Sequence, residues 1–225
     1  MKILFFLISL IVLVASCSNI ETLQNCDLRD YFYSVEQFAD PKFHVIEKDS
    51  FGYKSREYWK IEKIQPNRIQ ITMYDSELNP YSKLIDRFKS KEVVIDFIGS
   101  KVDSGYLEAN FESGNIFDFQ NQNSKYGYSM SYALDEPQKL EIKESTVLER
   151  VELTKKYING DSLSTIISNG YVHRIEKYSN YNFKIPLTVW YTKGIGVTLM
   201  KEDYGSGSIT HKYIETIDST EIDIN

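Results

Sequence analysis

The chain has 225 residues, 42% of them hydrophobic and 14% aromatic, with a formal net charge of −6. That length holds one sizeable core, and 17 Tyr beside 12 Phe suit pleated, half-buried surfaces. Acidic and basic residues are interspersed without a basic face, which excludes nucleic acid as a partner.

Met1-Lys2 is a minimal basic start, and Ile3 to Val14 is apolar apart from Ser9. This run is shorter than the ~20 residues that cross a bilayer, and small residues follow it. It reads as an export signal, expected to be helical, not as a span. Ser18 to Asp30 is polar and aperiodic, and is expected to be a tether reaching roughly 20 Å end to end. Between Leu28 and Ala39, Phe32, Val35 and Phe38 fall near helical spacing, leaving helix and strand both open. The expected organisation is a signal over 1–16, a lipidated N-terminus and tether over 17–30, and one β-rich domain over 31–225.

Beyond Pro41 the pattern is short strands and turns. Ile69, Ile71 and Met73 alternate with polar residues, as Leu140 and Ile142 do. Leu163, Thr165 and Ile167 alternate with Ser162, Ser164 and Ser168. Period two means one buried and one wet face, the mark of an antiparallel sheet. Asn67 after Pro66 and Asn79-Pro80 mark turns. Asn159-Gly160 and Asn169-Gly170 both suit a type I′ hairpin, so Val151 to Tyr178 is expected to be a three-stranded meander. Tyr204 to Ser208 is a further hairpin loop, and Gly194-Ile195-Gly196 is a bend between strands, not a nucleotide motif. Gly99 to Gly127 is expected to form hairpins with long loops. The fold class is all-β: an antiparallel meander curled into a half-barrel or open barrel, with a β-sandwich as second choice, because large twisted sheets seldom stay open and flat.

Val14-Ala15-Ser16-Cys17 resembles a bacterial lipobox. The resemblance implies cleavage before Cys17, acylation of its sulfur and attachment to the membrane by lipid. Ser18, where enterobacterial lipoproteins retained at the inner membrane carry aspartate, implies an outer-membrane destination in the cell envelope. Trp190 to Val197 resembles the closing hairpin of many all-β bacterial lipoproteins, and the strand pattern is loosely similar to the half-barrels of lipoprotein carriers. With Cys17 acylated, Cys26 is left as a free thiol or an intermolecular link.

No catalytic constellation and no cofactor motif emerges. Gly127-Tyr128-Ser129-Met130-Ser131 lacks the last glycine of a nucleophile elbow. His44, His173 and His211 lack ligand spacing, so no metal site is expected. Carboxylates such as Glu108, Glu112 and Asp118 read as solvated charges. Aromatics outside strict alternation, Tyr106, Phe111, Phe117, Phe119, Tyr126, Tyr128 and Tyr132, are the speculative ligand-binding set on a concave face. The expected function is a membrane-anchored envelope lipoprotein with a non-enzymatic binding role for an apolar ligand or a protein partner. The alternatives are a structural, assembly or immunity-type protein without a small ligand, and an envelope-polymer hydrolase.

Overall fold

A computed structural model describes residues 21–102, 105–120, 124–134, 140–177 and 181–222. The signal segment and Cys17 lie outside the described residues. Two 3-10 turns, Leu28–Tyr31 and Val35–Phe38, come first. Five strands follow: β1 Lys42–Ser50, β2 Tyr53–Gln65, β3 Arg68–Tyr74, β4 Pro80–Phe88 and β5 Glu92–Val102. Three short ones come next, β6 Gly105–Glu108, β7 Asn110–Gly114 and β8 Phe117–Asp118. The last six are β9 Lys125–Leu134, β10 Leu140–Ile158, β11 Asp161–Glu176, β12 Asn182–Thr192, β13 Gly196–Asp203 and β14 Ser208–Asp218.

The sheet is an antiparallel meander whose first and last long strands pair. β1 lies between β2 and β14, with Phe43 opposite Ile217 and Lys48 opposite His211. The order β6-β5-β4-β3-β2-β1-β14-β13-β12-β11-β10-β9-β7 curls into a nearly closed barrel with one unsealed seam, between β5 and β9. Full closure removes sheet edges, and here residues 105–118 do most of that work. β6 pairs with β5, β7 crosses to β9, and β8 returns to β5 through Glu92 and Val93. The Gly99–Gly127 segment is therefore three short seam strands more than hairpins with long loops.

The inward phase is apolar along most walls. Trp59 and Ile61, Ile69 and Ile71, Val93 and Ile95, Ile185, Leu187 and Val189 are all buried. The N-terminal turns fill one end of the lumen. Phe32 stacks within 5.2 Å of Phe117 and within 6.2 Å of Tyr191, and its ring lies 5.9 Å from Phe88. Leu28, Tyr31, Tyr33, Val35 and Phe38 are buried beside it. Leu28 to Ala39 is thus two 3-10 turns flanking a bend, neither the helix nor the strand left open by the spacing. The core also takes in Cys26 and Leu28, upstream of the expected domain start at residue 31. Cys26 is buried in that core, and burial, with the Glu21 charge adding to it, pushes its thiol pKa up.

Two expectations need correction. Asn159-Gly160 is the β10–β11 hairpin, with φ of 53° and 90°. Asn169-Gly170 is no turn. It lies inside β11, so the described part of the expected Val151 to Tyr178 meander, residues 151–177, is two long strands and not three. Gly170 serves close approach, because a Cβ there would run into the Val147 carbonyl on β10, as one at Gly127 would run into that of Thr146. Strands this close bend the wall sharply, which is how a meander closes. The β11 serines also face inward: Ser164 Oγ bonds Tyr31 Oη at 2.8 Å and Ser168 Oγ accepts from Tyr126 Oη at 2.9 Å. Tyrosine hydroxyls inside the lumen select hydroxyls opposite them, which reverses the simple hydrophobic phase.

Gly160→Ala is expected to cost about 1 kcal/mol through its positive φ. Gly170→Ala is expected to cost about 3 kcal/mol by overpacking two backbones. Urea unfolding of the two variants checks the order, and equal midpoints would refute the close-approach account.

Candidate functional site

The lumen is asymmetric. The plug end is closed by residues 21–39, and the opposite end carries charge on the inward phase. On one wall Glu57, only 4% exposed, lies between β1, β4 and β14. Its carboxylate accepts from Lys48 Nζ at 2.8 Å and from Tyr81 Oη at 2.7 Å, with Trp59 Nε1 at 3.5 Å. His211 Nε2 stands 3.6 Å away. Burial lowers the His211 pKa, and this outweighs the opposing pull of Glu57. His211 is therefore neutral near pH 7, and Lys48 is the cation that balances Glu57. Burial first, then the Glu57 charge, raises the Tyr81 pKa, which keeps its hydroxyl a donor.

On the facing wall Glu144 of β10 takes both Nε and Nη2 of Arg174 of β11, at 3.0 and 2.7 Å. Burial opposes the Arg174 charge, but the bonds and charge of Glu144 win and raise its pKa. Tyr204 Oη donates to Glu202 at 2.6 Å, and burial followed by that bond pushes its pKa up to about 12. A cleft of about 180 Å³ opens between β6 and β9, lined by Ile98, Gly99, Ser100, Leu107, Ala109, Met130 and Tyr132, together with Glu144 and Arg174.

Mid-lumen, Asp86 of β4 is 1% exposed and neither carboxylate oxygen has a hydrogen-bond partner. Burial, with the Asp96 charge adding to it, raises its pKa well above the carboxylate range. Asp96 bulges to the outer surface, where it pairs with Arg68 at 2.6 Å and Arg87 at 2.9 Å. The Tyr33 hydroxyl, also buried, has its pKa raised by burial and then by Asp86, with the Val197 backbone opposing.

The seven aromatic candidates do not gather on one face. Phe117 and Tyr126 belong to the plugged core, where their rings lie 5.7 Å apart and the Arg150 guanidinium sits 5.0 Å from one and 4.9 Å from the other. Phe119 is at the plug end, 5.6 Å from the Arg29 guanidinium. Phe111 and Tyr128 form a ring pair at 6.5 Å along the seam. Tyr106 stacks against the ammonium groups of Lys83 and Lys101, at 4.9 and 5.3 Å. Tyr132 alone lines the cleft. The charged inward residues were missed, although each sits in an apolar phase: Glu57 with Trp59 and Ile61, Asp86 with Leu84 and Phe88, Glu144 with Ile142.

No protein-family model matches the chain, and no curated protein matches it. Two solved structures share the fold. One is a candidate lipoprotein from Parabacteroides distasonis, with TM-score 0.57 and 9% identity, over 83% of this chain and 98% of that one. The other is a candidate exported protein with a YmcC-like fold from Bacteroides fragilis, with TM-score 0.51 and 7% identity, over 80% of this chain and 98% of that one. At such identities the likeness is one of fold.

Asp86 gives a signed pH prediction. A carboxyl whose folded pKa is raised holds its stabilising proton below the unfolded pKa of ~3.9 and loses that contribution as pH climbs toward the folded value. Asp86→Asn removes the effect. The stability difference between variant and wild type is expected to grow in the variant's favour from pH 4 to 7, at up to ~1.4 kcal/mol per pH unit. Urea melts across that range check it, and a difference independent of pH would refute the buried neutral acid. Glu57→Gln is expected to destabilise by about 2 kcal/mol at pH 7, because it leaves Lys48 without its balancing charge. Urea melts of the variant beside wild type measure this, and an unchanged midpoint would refute it.

Proposed function

We propose that this chain is a membrane-anchored lipoprotein of the bacterial envelope, held at the outer membrane by acylated Cys17, with a non-enzymatic role in binding a protein partner. The observation that carries the partner reading is the size and place of the seam cleft. Pockets that bury a small ligand run to ~300–1,000 Å³. This cleft, at about 180 Å³, takes one apolar side chain and lies at the open end of the barrel. The lumen beyond it, where an acyl chain would lie, is occupied by Phe32, Phe117, Tyr126 and Tyr191. Ile98, Leu107, Ala109 and Met130 supply apolar contact. The Glu144–Arg174 pair and Tyr132 supply polar contact, so the lining joins an apolar patch to charged and hydroxyl groups as protein interfaces do.

Two experiments test this. Cys17→Ala is expected to move the chain from the membrane fraction to the soluble envelope fraction. Retention of the variant, with its signal removed, overturns the anchor. A photo-crosslinking residue at Leu107 is expected to capture a discrete envelope protein, and one at Glu152 on the outer wall is not. Native mass spectrometry showing a retained small molecule, without a Leu107 crosslink, would replace the partner by a ligand.

A further inference from the structure

We infer that the plugged end of the barrel faces the membrane that holds the anchor and that the polar mouth, with its cleft, points away from it. This rests on the acylation of Cys17 proposed above. Its own argument is the length of chain left between the anchor and the fold.

The sequence from Ser18 to Asp30 promised a loose tether. The structure takes most of that length away. Glu21 is held by Lys193 Nζ at 3.1 Å, and the same ammonium reaches Asp30 at 3.1 Å. The Gly194 amide donates to the Asp30 carbonyl at 2.8 Å, and Gln37 Nε2 donates to the Gly194 carbonyl at 3.2 Å. Arg29 Nη2 donates to the Ser90 carbonyl at 3.0 Å. These partners lie in the β12–β13 and β4–β5 turns, both on the plug rim. Glu21 is thus fixed to that rim, and four residue steps remain back to Cys17. Fully extended, four steps span about 14 Å.

The barrel is longer than that reach. β12 runs from the mouth at Asn182 to the plug rim at Thr192, 11 residues. At ~3.3 Å per residue and the usual ~40° tilt, the mouth stands roughly 25 Å from the rim. A tether of ~14 Å from the rim cannot seat the mouth on the bilayer. The rim itself offers half-apolar contacts. Tyr157, 80% exposed, stands beside the Asn159-Gly160 hairpin, and Ile64 is exposed beside the β2–β3 turn. An exposed tyrosine fits the headgroup region, with its ring in the apolar boundary and its hydroxyl in water. Phe51, Tyr53 and Tyr181 are exposed at the mouth instead. A membrane-dipping mouth is the competing arrangement that the short tether rules out.

The test uses the full acylated chain in phosphatidylethanolamine–phosphatidylglycerol vesicles containing headgroup spin-labelled lipid. Cys26 is buried, so one added cysteine takes the fluorophore. Asp161→Cys on the plug rim is expected to be quenched at least three-fold more than Ser206→Cys at the mouth. Inserting about fifteen Gly/Ser residues after Ser18 is expected to cut the Asp161→Cys quenching by half or more. Equal quenching at both positions, or stronger quenching at Ser206→Cys, overturns the orientation while the anchor stands. A chain whose Cys17 carries no acyl mass in intact-protein spectra overturns the anchor and the orientation with it.

Discussion

The fold depends on filling a lumen. A barrel of this many strands is too wide for its own inward side chains to close completely, and an empty apolar cavity costs stability in proportion to its volume. The plug supplies the missing atoms. Phe32 inserts among Phe88, Phe117 and Tyr191, and Tyr33 and Phe38 pack on His44 at 5.8 and 6.0 Å. Removing Phe32 would leave a hole where several rings meet, so the plug and the barrel are expected to fold as one unit. The strands at the plug end can then be apolar inside, and the mouth is left with the charges.

The seam follows from the same constraint. β5 and β9 are too far apart to pair along their length, so the chain between them alternates sides. Ala109 N reaches the Ile98 carbonyl at 2.9 Å, Asn115 N reaches Gly127 at 2.8 Å, and Ile116 N reaches Val93 at 2.9 Å. Each crossing satisfies backbone groups that an open edge would leave exposed. The wall is complete near the plug, where β8 and Arg150 join it. Arg150 Nη2 donates to the Asp118 carbonyl there. Toward the mouth β6 stays with β5, β9 keeps only β10 as its partner, and the cleft is the gap between β6 and β9.

Much of the architecture was legible because strand period and turn chemistry are local. Asn159-Gly160, Tyr204 to Ser208, Asn67 and Asn79-Pro80 are turns in the structure, and the all-β barrel follows from counting the runs between them. Asn169-Gly170 misled because Asn-Gly reports φ freedom, whereas Gly170 is demanded by the Val147 backbone on the neighbouring strand β10, some twenty residues away in sequence, which no local pattern encodes. The aromatics misled for a related reason. Phe117 and Tyr126 depart from alternation because β8 turns Phe117 onto Phe32, a partner about 85 residues upstream, and the start of β9 turns Tyr126 onto Phe117 and Tyr191. The charged lumen was half legible. Glu57, Asp86 and Glu144 break an apolar phase, and that breach is visible once the phase is known to face inward.

Those breaches carry a cost that the rest of the barrel sustains. A buried carboxylate without partners is disfavoured by several kcal/mol, so Asp86 keeps its proton and escapes most of the penalty. His44, buried among Tyr33, Phe38 and Tyr213, does the opposite. Its pKa is pushed down to about 4 by burial, then by the nearby Lys42 charge. Its contribution is present above the ordinary histidine value and is lost as pH falls toward 4. Asp86 favours the folded state at low pH and His44 favours it at high pH, so between about pH 4 and 6.5 the two partly offset. Glu57 and Glu144 need no such escape, because Lys48 and Arg174 reach them from neighbouring strands. The interior is therefore graded from a dry aromatic plug, through two neutralised acid–base groups, to paired charges at the mouth. That order is also the order of increasing access to water, and it leaves the paired charges and the cleft as the part of the lumen a partner can reach.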